Sequence, residues 1–193
     1  MKIAVYGAAS SLIDDSYKQA GIELGRKIVE RGHGLVFGGG ANGMMGSVAK
    51  GVYEKGGYIL GVVPKFFREA SAEISFKKCS DYIYTDTVRE RKRQMEENCE
   101  AFIISPGGIG TLDEFFEILT LKQLGRHNKA IAIYNINGFF NELATSLYRM
   151  AKEEFITTDC ADLCKIFTDQ DEMLDYIEKY DPTDIDLSKV KIR

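Results

Sequence analysis

The chain alternates short runs of consecutive apolar residues with longer stretches whose apolar positions recur every three or four residues. The short runs read as strands at Ile3–Tyr6, Leu35–Phe37, Tyr58–Val63, Ala101–Ile104, Ala130–Tyr134 and Lys165–Phe167, with a less apolar one at Tyr82–Thr85. The longer period predicts helices at Ser16–Arg31, Met44–Lys55, Thr87–Asn98, Thr111–Leu124, Phe139–Glu154 and Glu172–Lys179. In the first of these, Ala20, Leu24, Ile28 and Val29 share one face. Regular strand–helix alternation implies an α/β fold with a mainly parallel sheet and helices on both faces. The strands are apolar throughout rather than at every second residue, as a sheet covered on both sides requires. Pro64–Asp81 is the least regular segment and is expected to lie over the site.

In such sheets ligands bind beyond the carboxyl ends of the strands, so the loops leaving strands matter most. Glycine marks them. Fourteen of the 19 glycines precede residue 62, five lie between Gly107 and Gly138, and none follows, so the C-terminal third reads as scaffold. Its Tyr and Phe residues read as core. Gly38-Gly39-Gly40-Ala41-Asn42-Gly43-Met44-Met45-Gly46 leaves a strand and opens a helix. Such a loop either cradles an anion with backbone N–H groups or is only a tight turn. It is neither a dinucleotide fingerprint in its usual place nor a nucleoside-triphosphate loop, because no Gly-Lys-Ser/Thr follows.

Ser105-Pro106-Gly107-Gly108-Ile109-Gly110-Thr111-Leu112-Asp113-Glu114 repeats that context. Here Thr111 and Glu114 fit two roles: a ligand contact with a carboxylate one turn in, or the two ends of a helix-capping box. Arg89-Glu90-Arg91-Lys92-Arg93 sets four cations at a helix start, against the helix dipole. Either a bound phosphate or neighbouring glutamates must compensate them. Ser10 and Ser11 follow the first strand and either face the site or cap a helix. His33 and His127 read as surface residues.

Composition narrows the class. With 193 residues, 45% hydrophobic and 28% charged, the chain has the makeup of an ordinary globular domain. A net charge of −4 argues against a nucleic-acid or membrane-surface binder but leaves room for a small anionic ligand. No apolar stretch reaches the ~20 residues of a membrane span, and none resembles a leader, so a cytoplasmic location is expected. Cys79, Cys99, Cys160 and Cys164 lack metal-ligand spacing and read as ordinary thiols, and no metal is expected.

The two glycine loops and the Arg-Lys helix together resemble the LONELY GUY (LOG) family. These are cytokinin riboside 5′-monophosphate phosphoribohydrolases, many of them long named lysine decarboxylases. The family pattern P-G-G-x-G-T-x-x-E is met in full by Pro106–Glu114, G-G-G-x-x-G-x-M-G by Gly38–Gly46, and E-R-K-x-x-M by Glu90–Met95. The likeness runs from Ile3 to about Tyr180. It implies a Rossmann-like, doubly wound domain over residues 1–180, with 181–193 as a tail that is loose or packs on a partner subunit.

The resemblance further implies a homodimer or larger homo-oligomer, with active sites near the subunit interface. Arg91 and Glu114 fall on the family's catalytic pair. Lys92, Thr120 and Glu73 fall on substrate contacts. Gly107, Gly108, Ile109, Gly110, Thr111, Leu112 and Asp113 form the substrate loop, with Gly108 to Thr111 around the phosphate. Gly39, Gly40, Gly43 and Ser10 are further loop or phosphate candidates. Val88-Arg89 stands where Met-His is common, Ser105 where Leu is common, and Gly7-Ala8-Ala9-Ser10-Ser11 replaces the usual G-S-S turn.

The implied reaction is hydrolysis of the N-glycosidic bond of an N6-modified purine nucleoside 5′-monophosphate, releasing free base and ribose 5-phosphate without metal or organic cofactor. Glu114, its ionised form favoured by the helix N-terminus, would stabilise the developing sugar cation and orient or deprotonate water. Arg91, as a guanidinium, would bind and orient rather than donate a proton. The leaving base could be protonated by Asp113, Glu73 or solvent. The alternatives are a general AMP nucleosidase and a non-catalytic carrier of a nucleotide or of molybdenum cofactor. A pyridoxal-phosphate lysine decarboxylase would need a Schiff-base lysine that no motif marks.

Overall fold

The computed structural model describes residues 1–66, 75–157 and 162–183. The described residues form seven strands and six α-helices. In chain order these are β1 (Lys2–Tyr6), α1 (Asp15–Glu30), β2 (Gly34–Phe37), α2 (Gly43–Glu54), β3 (Ile59–Pro64), β4 (Asp81–Thr85), α3 (Val88–Glu97), β5 (Ala101–Ile104), α4 (Ile109–Gln123), β6 (Ala130–Tyr134), α5 (Asn141–Lys152), β7 (Lys165–Phe167) and α6 (Gln170–Glu178). A 3-10 turn at Ile136–Gly138, which the periodicity did not foretell, precedes α5.

The strands form one sheet in the order β4-β3-β2-β1-β5-β6-β7, and every neighbouring pair is parallel. This is the expected Rossmann-like, doubly wound α/β architecture. The chain works outward from β1 to β4, then crosses back to pair β5 on the other side of β1. The winding reverses between β1 and β5, so the loops leaving their carboxyl ends diverge and open a crevice there.

Alternate residues of each strand feed two apolar layers. Ile3, Val5, Leu35, Phe37, Ile59 and Ile103 pack under Leu24 and Ile28 of α1, Val48 and Val52 of α2, and Met173, Leu174 and Ile177 of α6. Ala4, Tyr6, Val36, Leu60, Phe102 and Ile104 pack under Met95 of α3, Phe115 and Ile118 of α4, and the partly buried Leu143 and Leu147 of α5. The outer strands β4 and β7 are the less buried ones, which explains the lower apolar content of Tyr82–Thr85.

Two expectations change. His127 is half-buried rather than a free surface residue: its Nε2 lies 2.8 Å from the Ile118 carbonyl and its ring packs on Phe102. Burial, then the nearby lysines, brings its pKa down to about 4, so it is neutral. The aromatic residues of the C-terminal third are not all core, since Tyr148 and Phe155 are exposed. Of the segment 64–81, residues 67–74 lie outside the described residues. Beyond them, Ser75 bridges Gly40 and Phe76 packs on Phe37 and Tyr53, on the α2 side. Of the tail, only Asp181–Thr183 is described. Among the described residues no helix is long and apolar enough to cross a membrane.

Candidate active site

At the β1/β5 switch point the loops leaving both strands interlock. The Ala8 amide donates to the Pro106 carbonyl (3.0 Å), and the Ala8 carbonyl accepts from Met45 N–H at the start of α2 (3.2 Å). The Ser105 hydroxyl donates to the Tyr6 carbonyl (2.7 Å). Above these loops lies a cleft of about 390 Å³ walled by Gly7–Ser10, Met45, Gly108 and Gly110, with Val88, Arg91 and Lys92 of α3 on one side and Thr111, Asp113 and Glu114 of α4 on the other.

Helix α3 starts where a capping box sets it. Thr87 Oγ1 accepts from Glu90 N–H (3.1 Å), and Glu90 Oε2 accepts from Asp86 N–H (2.9 Å). The box is therefore Thr87-x-x-Glu90. The pair Thr111-x-x-Glu114 is not one: α4 begins at Ile109 with Gly108 as its N-cap and no side-chain cap. Thr111 is buried in the first turn, its hydroxyl filling the place a Gly107 side chain would need. Glu114 is thereby released from capping.

The cations of α3 are compensated by carboxylates. Arg91 Nη1 lies 3.3 Å from Glu114 Oε1. Lys92 Nζ lies 2.9 Å from Asp113 and 2.6 Å from Glu117, and Arg93 reaches Glu97. Burial works against the Lys92 charge, but its two carboxylates outweigh that and hold its pKa above the ordinary lysine value.

Glu114 departs from the expectation of an ionised carboxylate. It is the sixth residue of α4, beyond the free amides of the first turn, and its side chain is 8% exposed. Burial, aided by Asp113 and Glu117 and opposed by Arg91 and Lys92, pushes its pKa up to about 7. Desolvation therefore beats the helix dipole, whose effect fades within one turn. The Arg91 Nε is buried and has no hydrogen-bond acceptor.

Glycines around the cleft divide into two kinds. A Cβ on Gly7 would lie 2.3 Å from Ser105 Oγ, and one on Gly107 would lie 2.1 Å from Thr111 Oγ1, so the fold itself needs both. Gly108 and Gly110 have open space where a side chain would stand, and neither has a positive φ. Nothing in the fold requires glycine at these two positions, and both face the cleft.

The structure thus gathers Arg91, Lys92, Gly108, Gly110, Thr111, Asp113, Glu114 and Ser10 in one place. Ile109 sits at the rim, 89% exposed, and Leu112 leans toward the core. Thr120 is exposed further along α4 and does not line the cleft. Gly39 and Gly40 lie beside Val63 and Ser75. Gly43 presses on the Ala8 and Ser10 carbonyls and borders a separate hollow shared with Lys18 and Lys50. Glu73 lies outside the described residues.

Two residues beside the pair are ones the sequence did not mark as its neighbours. Gly38 lies against Arg91. Tyr6, fully buried at the end of β1, has its pKa raised by burial and then by Glu114. Its place as the last strand residue before the turn was the available signal.

Comparison with known proteins places the chain. A family model described as possible lysine decarboxylase matches residues 45–177. The cytokinin riboside 5′-monophosphate phosphoribohydrolase LOG7 of Arabidopsis thaliana is 35% identical over 94% of this chain and 82% of its own. The probable cytokinin riboside 5′-monophosphate phosphoribohydrolase LOGL6 of Oryza sativa subsp. japonica is 34% identical over 94% of this chain and 72% of its own. Among solved structures, the molybdenum cofactor carrier protein of Chlamydomonas reinhardtii superposes with a TM-score of 0.69 at 20% identity, covering 92% of this chain and 96% of that one. The molybdenum cofactor binding protein of Rippkaea orientalis gives 0.69 at 19%, covering 92% and 94%. At such identities the two structures share the fold.

Proposed function

The chain belongs to the LOG family, and from that premise we propose that it hydrolyses the N-glycosidic bond of a purine nucleoside 5′-monophosphate. The observation that carries the reading is the buried Arg91–Glu114 pair beside a helix N-terminus left bare by Gly108 and Gly110. The first amides of α4 have no intrahelical acceptor, and the missing side chains let a phosphate come against them. Lys92 adds positive charge at that end. Val88, Met45 and Ala8, on the remaining wall of the cleft, would then face the base.

This placement sets the sugar C1′ against Glu114, so remote phosphate binding orients the reacting centre. As the C1′–N9 bond breaks, positive charge grows on the sugar and the Glu114 carboxylate stabilises it. Glu114 also accepts the proton of the water whose oxygen bonds to C1′. The departing purine takes up a proton, leaving free base and ribose 5-phosphate. A carboxyl with a pKa near neutrality suits a general base. Arg91 holds Glu114 in place through Nη1.

The family model's description suggests lysine decarboxylation instead. That chemistry needs a lysine free to form a Schiff base with pyridoxal phosphate in an open site. Among the described residues the lysine whose pKa burial lowers, to about 8, is Lys122. It is fully buried, donates to the Lys129 carbonyl, lies under Tyr180 and stands outside the cleft. Lys92 is held charged by two carboxylates. These residues do not fit the cofactor.

A homo-oligomer belongs to the same reading. Ile109 and Phe116 of α4, with Tyr148 and Met150 of α5, are exposed apolar side chains on the side of the sheet that carries the pair, and α5 has no fully buried residue. A second copy covering them would also close the cleft at Ile109.

The test is release of free base from AMP and from N6-isopentenyl-AMP without added metal, resolved by chromatography. Faster release from the isopentenyl nucleotide identifies a cytokinin-activating enzyme. Equal release identifies a general nucleotide hydrolase. Tight binding with no release from either makes the protein a carrier and overturns the proposal.

A further inference from the structure

We propose that Gly38 is a positioning residue for Arg91: its missing side chain is the seat in which the guanidinium is held against Glu114. The inference rests on the hydrolase reading for why that seat matters, but the seat itself is a matter of packing. Gly38 follows β2 directly and is distant from Arg91 in sequence. A Cβ there would lie 1.8 Å from Arg91 Nη2, 2.8 Å from Cζ and 3.1 Å from Nε. All three atoms belong to the planar guanidinium, which therefore lies across the Gly38 backbone. Two of these distances are shorter than any real Cβ contact.

The backbone gives no other reason for glycine here. Gly38 is not among the residues with positive φ, whereas its neighbour Gly39 has φ +83°. A Cβ on Gly39 would meet Val63 at 2.3 Å, away from Arg91. Within one Gly-Gly-Gly run, one position serves the turn and the one before it serves the arginine. With Nη2 and Nε against Gly38, Nη1 is the nitrogen that meets Glu114. The flexible Arg91 stem can swing the flat guanidinium away from an added methyl, and that movement takes Nη1 off Glu114.

The seat has an electrostatic consequence. The charged and titratable groups that influence Glu114 are Arg91 and Lys92 from α3 and Asp113 and Glu117 from α4, with the Tyr6 phenol close by on β1. Arg91 is the largest influence favouring the carboxylate. Unseating it shifts Glu114 toward the neutral acid.

The experiment is a thermal double-mutant cycle of Gly38→Ala and Arg91→Ala in the full chain. It is run at pH 6, where burial keeps Glu114 largely neutral, with Gly39→Ala as control. Gly38→Ala should lower Tm or prevent folding when Arg91 is present, and should cost little when Arg91 is absent. Gly39→Ala should cost the same in both backgrounds. In folded Gly38→Ala, the carbon-13 NMR titration of the Glu114 carboxyl should move up by about one unit. With AMP, kcat should fall by about 100-fold and KM by no more than about threefold either way.

Equal Tm losses in both Arg91 backgrounds overturn the proposal. So does a Glu114 titration that Gly38→Ala leaves in place. A wild-type protein that releases no base from AMP or isopentenyl-AMP overturns the hydrolase reading alone, because the cycle and the titration decide the seat without turnover.

Discussion

Arg91 and Glu114 form an ion pair 3.3 Å apart whose side chains are 11% and 8% exposed, at the bottom of a cleft open to a small ligand. A pair this buried gains from attraction and loses from desolvation, and the loss can dominate. Here it dominates for the carboxyl, whose pKa rises to about 7 despite the adjacent cation. The site therefore holds a carboxyl that gives and takes a proton near neutral pH, beside the Arg91 guanidinium.

That shift fixes the sign of two pH dependences. Turnover that uses the ionised Glu114 should rise with pH along a limb centred near 7, measured as kcat/KM for AMP between pH 5 and 9. Stability should run the other way. The folded-state pKa is raised above the unfolded value of 4.5, so the contribution is full below about pH 4.5 and is lost as pH rises through about 7. The difference is on the order of 3 kcal/mol. Urea unfolding of Glu114→Gln and wild type should show the variant gaining relative stability from pH 5 to pH 8.5. A flat difference would contradict the assigned shift.

Gly108 and Gly110 separate folding from binding. Neither position has an atom near a would-be side chain, and Gly110 lies within α4. Alanine at Gly110 should leave Tm unchanged or raise it, since alanine is favoured over glycine in a helix by up to about 1 kcal/mol. The added methyl would stand where the phosphate is to approach. KM for AMP should rise by roughly tenfold or more, and an unchanged KM would remove the phosphate from this helix end.

The exposed side chain of Ile109 is where the proposed assembly would meet the cleft. Ile109→Asp would place a charge in that proposed apolar contact and should shift sedimentation toward the monomer, with KM rising if the second copy covers the cleft. A variant with the sedimentation of wild type would show that this face is not the contact.

Most of the fold was legible because buried parallel strands and amphipathic helices leave unmistakable periods, as at Ala101–Ile104 and Asp15–Glu30. The motifs Pro106–Glu114 and Glu90–Met95 carried the candidate site: the first leaves β5 at the switch point, and the second lies on α3, which walls the cleft opposite α4. What stayed hidden depended on three-dimensional surroundings. Thr111-x-x-Glu114 and Thr87-x-x-Glu90 have the same spacing, and only the helix starts show that the second is the cap. The helix dipole at Glu114 is readable from position, but the burial that outweighs it comes from other elements. Gly38 gave only the sign of a turn, because its partner Arg91 arrives from a helix far along the chain.

The central claim is that Glu114 performs the chemistry while the rest of the cleft binds the nucleotide. Single-turnover release of adenine from AMP by Glu114→Gln, paired with calorimetric AMP affinity, tests it most directly. Glutamine keeps the shape of the side chain and a contact for Arg91, but it cannot take the proton from water. The variant should lose about 1,000-fold or more in rate, with Kd within about threefold of wild type. Adenine release at near wild-type rate would contradict it.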